Sequence, residues 1–355
     1  MTDQQPTDNR PRTSLAMRVL YACIVAAAVF VAIYTILQSS RRTGKCAPGE
    51  GCNAIAPELR KTDPKLIKFR ETGKIQTSMR NPRGIAVGPG GDAYMVGDKI
   101  IKVYGADRTR KPDIPLLEDA ECLAVDRDGR VYVGLRDRVA VYAGPAPRAA
   151  PPIAMWPGLG DRAFITCIAV TATDVFVADA GNRVILRYDK AGKVLTRIGE
   201  KNAARNIPGL VVPSHHLDVA MAPDGLLRVA NPGRHCIEAY TLDGDLEQSW
   251  GKPSTDPEGF PGCCNPTDIA IFPDGGLVAA DKGLFRVKVY AADGTFTGVV
   301  AGPESFGKLF LKGNSDDFAG IDLAVDGDRV LVLDPASRTI RIFEPIPAPA
   351  AEATQ

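Results

Sequence analysis

Residues 175–190 read Val175-Phe176-Val177-Ala178-Asp179-Ala180-Gly181-Asn182-Arg183-Val184-Ile185-Leu186-Arg187-Tyr188-Asp189-Lys190. Two runs rich in β-branched and aromatic residues, with period-2 alternation, flank a polar turn. The segment therefore reads as two short strands, Val175–Ala178 and Arg183–Tyr188, rather than a helix. Upstream lies a third apolar segment, Ile168-Ala169-Val170. A unit of the same kind recurs along the chain. Its first strands are Ile85-Ala86-Val87, Leu123-Ala124-Val125, Ile168-Ala169-Val170, Leu217-Asp218-Val219, Ile269-Ala270-Ile271 and Leu323-Ala324-Val325. Second strands follow at Ala93–Val96, Val131–Val133, Val175–Ala178, Leu227–Ala230, Leu277–Ala280 and Val330–Leu333, often after an Asp-Gly turn such as Asp128-Gly129, Asp224-Gly225 or Asp274-Gly275.

Four short antiparallel strands in each unit of roughly 40–50 residues is the signature of a propeller blade. Six units predict an all-β, six-bladed β-propeller over residues 65–345. The last unit ends at Phe343 after three strands, so its outer strand is expected from the N-terminal side, at Leu66–Phe69 or Lys74–Thr77. Joining the two ends of the chain in this way removes a free sheet edge.

Composition agrees with this class. The 355 residues include 35 Gly and 28 Pro, too much punctuation for a mostly helical protein. With 45% apolar and 24% charged residues, the chain is not expected to be disordered throughout. A net charge of +1 gives no broad basic field, so no nucleic-acid partner is expected.

Ahead of the repeats, Val19–Leu37 is an uncharged stretch of 19 residues, long enough for a transmembrane helix. It runs into Gln38-Ser39-Ser40-Arg41-Arg42 without a small-x-small cleavage site, which favours an uncleaved single-pass anchor. The expected organisation is a cytoplasmic tail 1–18, an anchor 19–37, a linker 38–64, the propeller 65–345 and a disordered Pro/Ala-rich tail 346–355. Flanking charge is balanced between Arg10, Arg12 and Arg18 on one side and Arg41, Arg42 and Lys45 on the other. The soluble domain is expected in the periplasm or outside the cell, where Cys46 and Cys52 of the linker could pair. Cys23 falls within the apolar stretch.

The repeat resembles the NHL family. Val177-Ala178-Asp179-Ala180-Gly181-Asn182-Arg183-Val184, then Tyr188-Asp189-Lys190-Ala191-Gly192-Lys193 and Ile198-Gly199, match its pattern, and Asp179, Asn182 and Arg183 match its turn signature. The first two blades depart from that signature. The resemblance implies a six-bladed propeller and leaves activity open, since such folds act as binding platforms, scaffolds or enzymes. A more distant resemblance links Cys264–Ile271 and His216–Val219 to the strand starts of the amidating lyase that acts on peptidyl-hydroxyglycine. That enzyme is also a six-bladed propeller, with a zinc ion held by histidines at the channel mouth. This chain has too few histidines on distinct blades to reproduce a three-histidine site.

Eight Cys accompany only three His, all of the latter within residues 215–235. The residue before each first-strand triplet is Gly84, Cys122, Cys167, His216, Asp268 or Asp322, and these six are expected to ring the channel mouth. His215, Arg234, His235, Cys263 and Cys264 fall in loops assigned to the same face, whereas Cys236 starts a strand. One reading makes the cysteines small packing residues and the histidines caps. Another makes Cys122, Cys167, His216, His235, Cys263 and Cys264 ligands of zinc or copper, with Asp268 and Asp322 behind them. A third makes the vicinal pair Cys263-Cys264 a redox element, a ligand or a stiffened turn. The function expected first is a platform for a protein or small-molecule ligand at the channel mouth. The alternative is a metal- or thiol-dependent enzyme or redox component.

Overall fold

A computed structural model describes residues 57–145, 150–307 and 320–347. They form six four-stranded antiparallel sheets arranged as a six-bladed β-propeller. From the channel outward, blade one comprises Pro82–Val87, Ala93–Gly97, Ile100–Tyr104 and Ile114–Pro115, and blade two Cys122–Val125, Val131–Gly134, Val139–Tyr142 and Ala154–Met155. Blade three comprises Ile165–Val170, Asp174–Asp179, Val184–Asp189 and Val194–Ile198, and blade four Asp218–Met221, Leu227–Asn231, Cys236–Tyr240 and Leu246–Trp250. Blade five comprises Asp268–Ile271, Leu277–Asp281, Arg286–Tyr290 and Phe296–Ala301. Blade six takes Asp322–Asp326, Arg329–Asp334 and Thr339–Pro345 from the C-terminal side and its outer strand, Phe69–Gln76, from the N-terminal side.

The second and third strands of each blade are buried on both faces, so they read as continuous apolar runs; outer strands such as Val194–Ile198 face solvent. The core is divided among the blade interfaces. Val96 and Ile101 meet Val131 and Val133 between blades one and two, and Phe176 and Ile185 meet Leu217 and Val229 between blades three and four. Each fully buried side chain of this kind stabilises the fold by roughly 1.5–3 kcal/mol. A half-exposed pair such as Arg110–Asp113 contributes about 0–1 kcal/mol. The dry faces between blades therefore dominate stability.

The repeat's turn signature has a structural cause. Asp179 Oδ1 accepts hydrogen bonds from the backbone N–H groups of Phe164 (3.0 Å) and Asn182 (3.1 Å), while Oδ2 accepts from the Asn182 side-chain amide (2.6 Å). Arg183 then takes a left-handed conformation, φ 56°, to start the next strand. Arg338, at φ 57° after Asp334, repeats the device in blade six.

Both N-terminal candidate segments contact the ring, in different ways. Phe69–Gln76, which takes in most of Lys74–Thr77, pairs with Thr339–Pro345 from Phe69↔Pro345 to Gln76↔Thr339. Just before it, Ile67 bridges Val299 of blade five, and Lys68 N–H donates to the Val299 carbonyl at 3.0 Å. Across the closing ladder, Arg341 grips Glu71 through Nη2 at 2.6 Å and Nε at 3.3 Å, donates to the Ser305 carbonyl and lies over Phe306 and Phe343. Burial pushes the Glu71 carboxyl up, but the charges and hydrogen bonds of Arg341 and Lys74 hold it below its ordinary range.

Blade four corrects the expected register. Asp218↔Ala230 is equivalent to Asp268↔Ala280, so Asp218, not His216, occupies the ring position. The slip is two residues, and a two-residue slip leaves every side chain on the same face. Period-2 patterning could not detect it. Among the described residues, no helix is long and apolar enough to cross a membrane. The anchor expected at 19–37, with Cys23, Cys46 and Cys52, lies outside the described residues, as does most of the tail 346–355.

Arg341→Ala is expected to destabilise the protein by roughly 1.5–3 kcal/mol, because it removes the charged hydrogen bonds to Glu71 across the closing ladder and the bond to the Ser305 carbonyl. Chemical denaturation of the variant beside Lys74→Ala, a solvated neighbour with little effect, measures the difference.

Candidate functional site

The inner strands diverge from one another around the channel, so neighbouring blades cannot satisfy each other's backbone groups with a regular ladder. Side chains at the strand starts take over this role. Asp218 of blade four accepts the Ile269 N–H of blade five at 2.5 Å, Asp268 accepts the Leu323 N–H of blade six at 2.9 Å, and Asp322 accepts the Ile85 N–H of blade one at 2.6 Å. On blade three, Thr166 Oγ1 donates to the Leu217 carbonyl at 2.6 Å and the Cys167 thiol to that of Val219 at 3.5 Å. Gly84 and Cys122 complete the equivalent positions on blades one and two. Opposite Cys122 stands Gly134, where a Cβ would lie 2.4 Å from the Cys122 sulfur. Only glycine fits beside that thiol.

Three carboxylates in one narrow channel cannot all be ionised comfortably. Burial pushes Asp218 up to about 7, against the pull of the Cys167 thiol and the Ile269 N–H. Burial likewise raises Asp322 to about 6, while hydrogen bonds from Asp268 and the Ile85 N–H oppose the rise. Asp268 is pushed well above the ordinary carboxylate range by burial and by the negative charges of Asp218 and Asp322. Cys122 and Cys167 are pushed well above the ordinary thiol range by burial and neighbouring carboxylates, so both remain thiols at neutral pH.

The three carboxylates of the ring, Asp218, Asp268 and Asp322, line a cavity of about 90 Å³ at the channel mouth. His216, Thr166 and Thr267 line it. Phe164 and His215 stack at the rim with centroids 4.2 Å apart and 16° between planes. An ion pair between Arg83 and Glu121, at 3.3 Å, flanks the opening. Hydrogen-bond donors, acceptors and an aromatic lip therefore converge on a small recess.

The residues expected to form a site do not assemble as one set. His215, His216, Asp268 and Asp322 line the mouth, and Cys122 and Cys167 line the channel below. His235 ends the turn after Pro232–Arg234 in the left-handed conformation, φ 54°, with Nδ1 3.1 Å from the Phe260 carbonyl oxygen. Arg234 pairs with buried Glu238 at 3.4 Å. Cys263 and Cys264 belong to the loop before blade five, and Cys236 is buried at its strand start. Among the described residues, no group of three or more His, Cys, Asp or Glu side chains is placed to hold a metal ion. Sequence reasoning missed Asp218, Thr166, Thr267, Phe164, Arg83 and Glu121. For Asp218 a signal existed: an ionisable residue interrupted an otherwise apolar triplet. Phe164 and His215 meet only through the fold.

No protein-family profile and no curated protein matches the chain. Solved structures do resemble it. A catalytically inactive histidine-to-alanine variant of virginiamycin B lyase from Staphylococcus aureus, crystallised with quinupristin, is 12% identical with a TM-score of 0.53, over 79% of this chain and 100% of that one. A streptogramin B lyase is 13% identical with a TM-score of 0.53, over 80% of this chain and 100% of its own. A protein of unknown function from Bacteroides thetaiotaomicron is 16% identical with a TM-score of 0.54, over 78% and 75% of the two chains. Likenesses this remote in sequence show the fold alone.

The buried carboxylates set a direction for pH. Asp218 binds its proton more tightly folded than unfolded, so its contribution to stability is complete below pH 3.8 and is lost as pH rises through about 7. The Asp218 share of the unfolding free energy is expected to fall by roughly 2–3 kcal/mol between about pH 5 and pH 8, Asp322 and Asp268 add to the slope in the same direction, and Asp218→Asn is expected to flatten it by that share. Denaturant melts of both proteins across this range test it; equal slopes would refute the assignment. Alkylation followed by peptide mass spectrometry is expected to label exposed Cys263 in the native protein well before Cys122 or Cys167.

Proposed function

We propose that this chain is a single-pass, membrane-anchored propeller of NHL type whose channel mouth binds a ligand on the periplasmic or extracellular side. The observation that supports the reading best is the recess that the Phe164–His215 stack lines together with His216 and the carboxylates of Asp218, Asp268 and Asp322. Convergent polar groups and titratable residues moved from their usual range, together in a concave recess, are a mark of functional sites. The apolar stretch 19–37 supports the anchor. A recess of about 90 Å³ suits a single head group, such as one side chain of a protein partner or one end of a small molecule.

A second reading, a thiol-dependent component, has one observation in its favour: the contact between the Cys263 and Cys264 sulfurs, 2.6 Å apart. The neighbours that are lyases add the possibility of an enzyme only as analogy.

Ligand-observed NMR screening of a fragment library against the detergent-solubilised chain tests the binding reading. Fragments that bind the wild type are expected to lose about tenfold or more in affinity with Phe164→Ala and with His216→Ala. Thermal melts of the variants check that the fold is kept. Fragments whose affinity is unchanged in both folded variants would place binding elsewhere.

A further inference from the structure

We propose that Cys263 and Cys264 form a thiol–disulfide exchange site, in which the Cys263 thiolate attacks a small-molecule disulfide and Cys264 resolves the adduct into a vicinal bridge. The site is separate from the channel mouth and does not depend on the ligand-binding reading. Successive side chains of an extended segment point to opposite sides. Here the chain turns so that the two sulfurs approach to 2.6 Å, after Gly262 at φ 76°. Asn265, itself buried, fixes the loop from below: its amide donates to the carbonyls of Pro261 (2.6 Å) and Lys282 (2.9 Å), and its oxygen accepts the Lys282 N–H (2.8 Å). The turn is thus tied to blade five independently of the sulfurs.

The two thiols are unequal. Cys263 is exposed and Cys264 is 4% exposed, so an incoming disulfide reaches only the first. No other cysteine among the described residues is exposed, since Cys122 and Cys236 are buried and Cys167 is partly so. The hydrogen bond with Cys264 and burial push the Cys263 thiol up, and the charge of Lys282 opposes them. Exchange therefore accelerates towards alkaline pH, as the thiolate becomes available.

The chemistry balances as two successive exchanges. The Cys263 thiolate attacks one sulfur of the disulfide, a bond to Cys263 forms, the reagent's S–S bond breaks, and one thiolate leaves. Cys264, having lost its proton to solvent, then attacks the Cys263 sulfur and expels the second thiolate. Two protein thiols lose two electrons and two protons; the reagent disulfide gains them and departs as two thiols. The loop continues through Asn265 and Pro266 into Thr267 and Asp268, which line the channel mouth, so its redox state is set beside that recess.

The test treats the full chain in detergent with 2-hydroxyethyl disulfide, quenches with an alkylating agent and weighs the peptide that carries both cysteines. The wild type is expected to lose two hydrogens and carry no adduct, with the mixed disulfide resolving at least about tenfold faster than in the guanidinium-unfolded chain. Cys264→Ser is expected to stop as the mixed disulfide on Cys263, and Cys263→Ser to leave Cys264 unmodified. A wild type that ends as a stable mixed disulfide, stays unmodified, or resolves the mixed disulfide no faster than the unfolded chain overturns the proposal without reference to any variant.

Discussion

The fold depends on one ladder, the pairing of Phe69–Gln76 with Thr339–Pro345. Without it, blade six would have three strands and an open edge, and the first and last blades would have no covalent reason to stay together. A strand edge of that kind is a site for mispairing. The ladder closes a loop that spans nearly the whole domain, so its entropic cost is met by non-local contacts: the backbone bonds, the Arg341–Glu71 pair and the apolar face that blades six and one share around Met95, Leu333 and Ile340. The other five interfaces can form between neighbours in sequence. Only this one requires both ends.

Ring closure also explains the chemistry at the centre. Six strand starts are brought towards one axis, where there is room for small side chains and little access for water. Backbone N–H groups that point into this space need acceptors, and short carboxylates supply them at Asp218, Asp268 and Asp322. The same crowding that makes these groups useful as ties makes their ionisation unfavourable. The channel therefore couples blade-to-blade cohesion to proton binding, and the carboxylates at its mouth carry a charge that depends on pH. Thiols at Cys122 and Cys167 share this environment and are kept neutral by it.

The two halves of the ring differ in how they use their strand starts. Blades four to six present carboxylates, whereas blades one to three present glycine and two thiols. The recess inherits this asymmetry, with the His215–Phe164 stack and His216 contributed from blades three and four and the acidic groups continuing through blade six. A ligand placed there would be oriented by it.

Strand identity, blade number and the need for a donated outer strand were legible in the sequence, because each rests on local periodicity: β-branched alternation, Asp-Gly turns and the Asp179–Arg183 turn are consequences of backbone geometry over a few residues. The sequence grouped Cys122, Cys167, Cys263 and Cys264 on one face, whereas the first two line the channel and the other two belong to the loop before blade five. It did not settle the register of blade four, because a two-residue slip preserves the face pattern, and so His216 was placed where Asp218 stands. Nor could it show that Phe164 stacks on His215 or that His235 turns away to Phe260, since these contacts join segments with no shared local rule. Local periodicity determined the propeller; only closure of the ring decided which side chains meet at its mouth, because the channel exists nowhere along the chain until all six blades are in place.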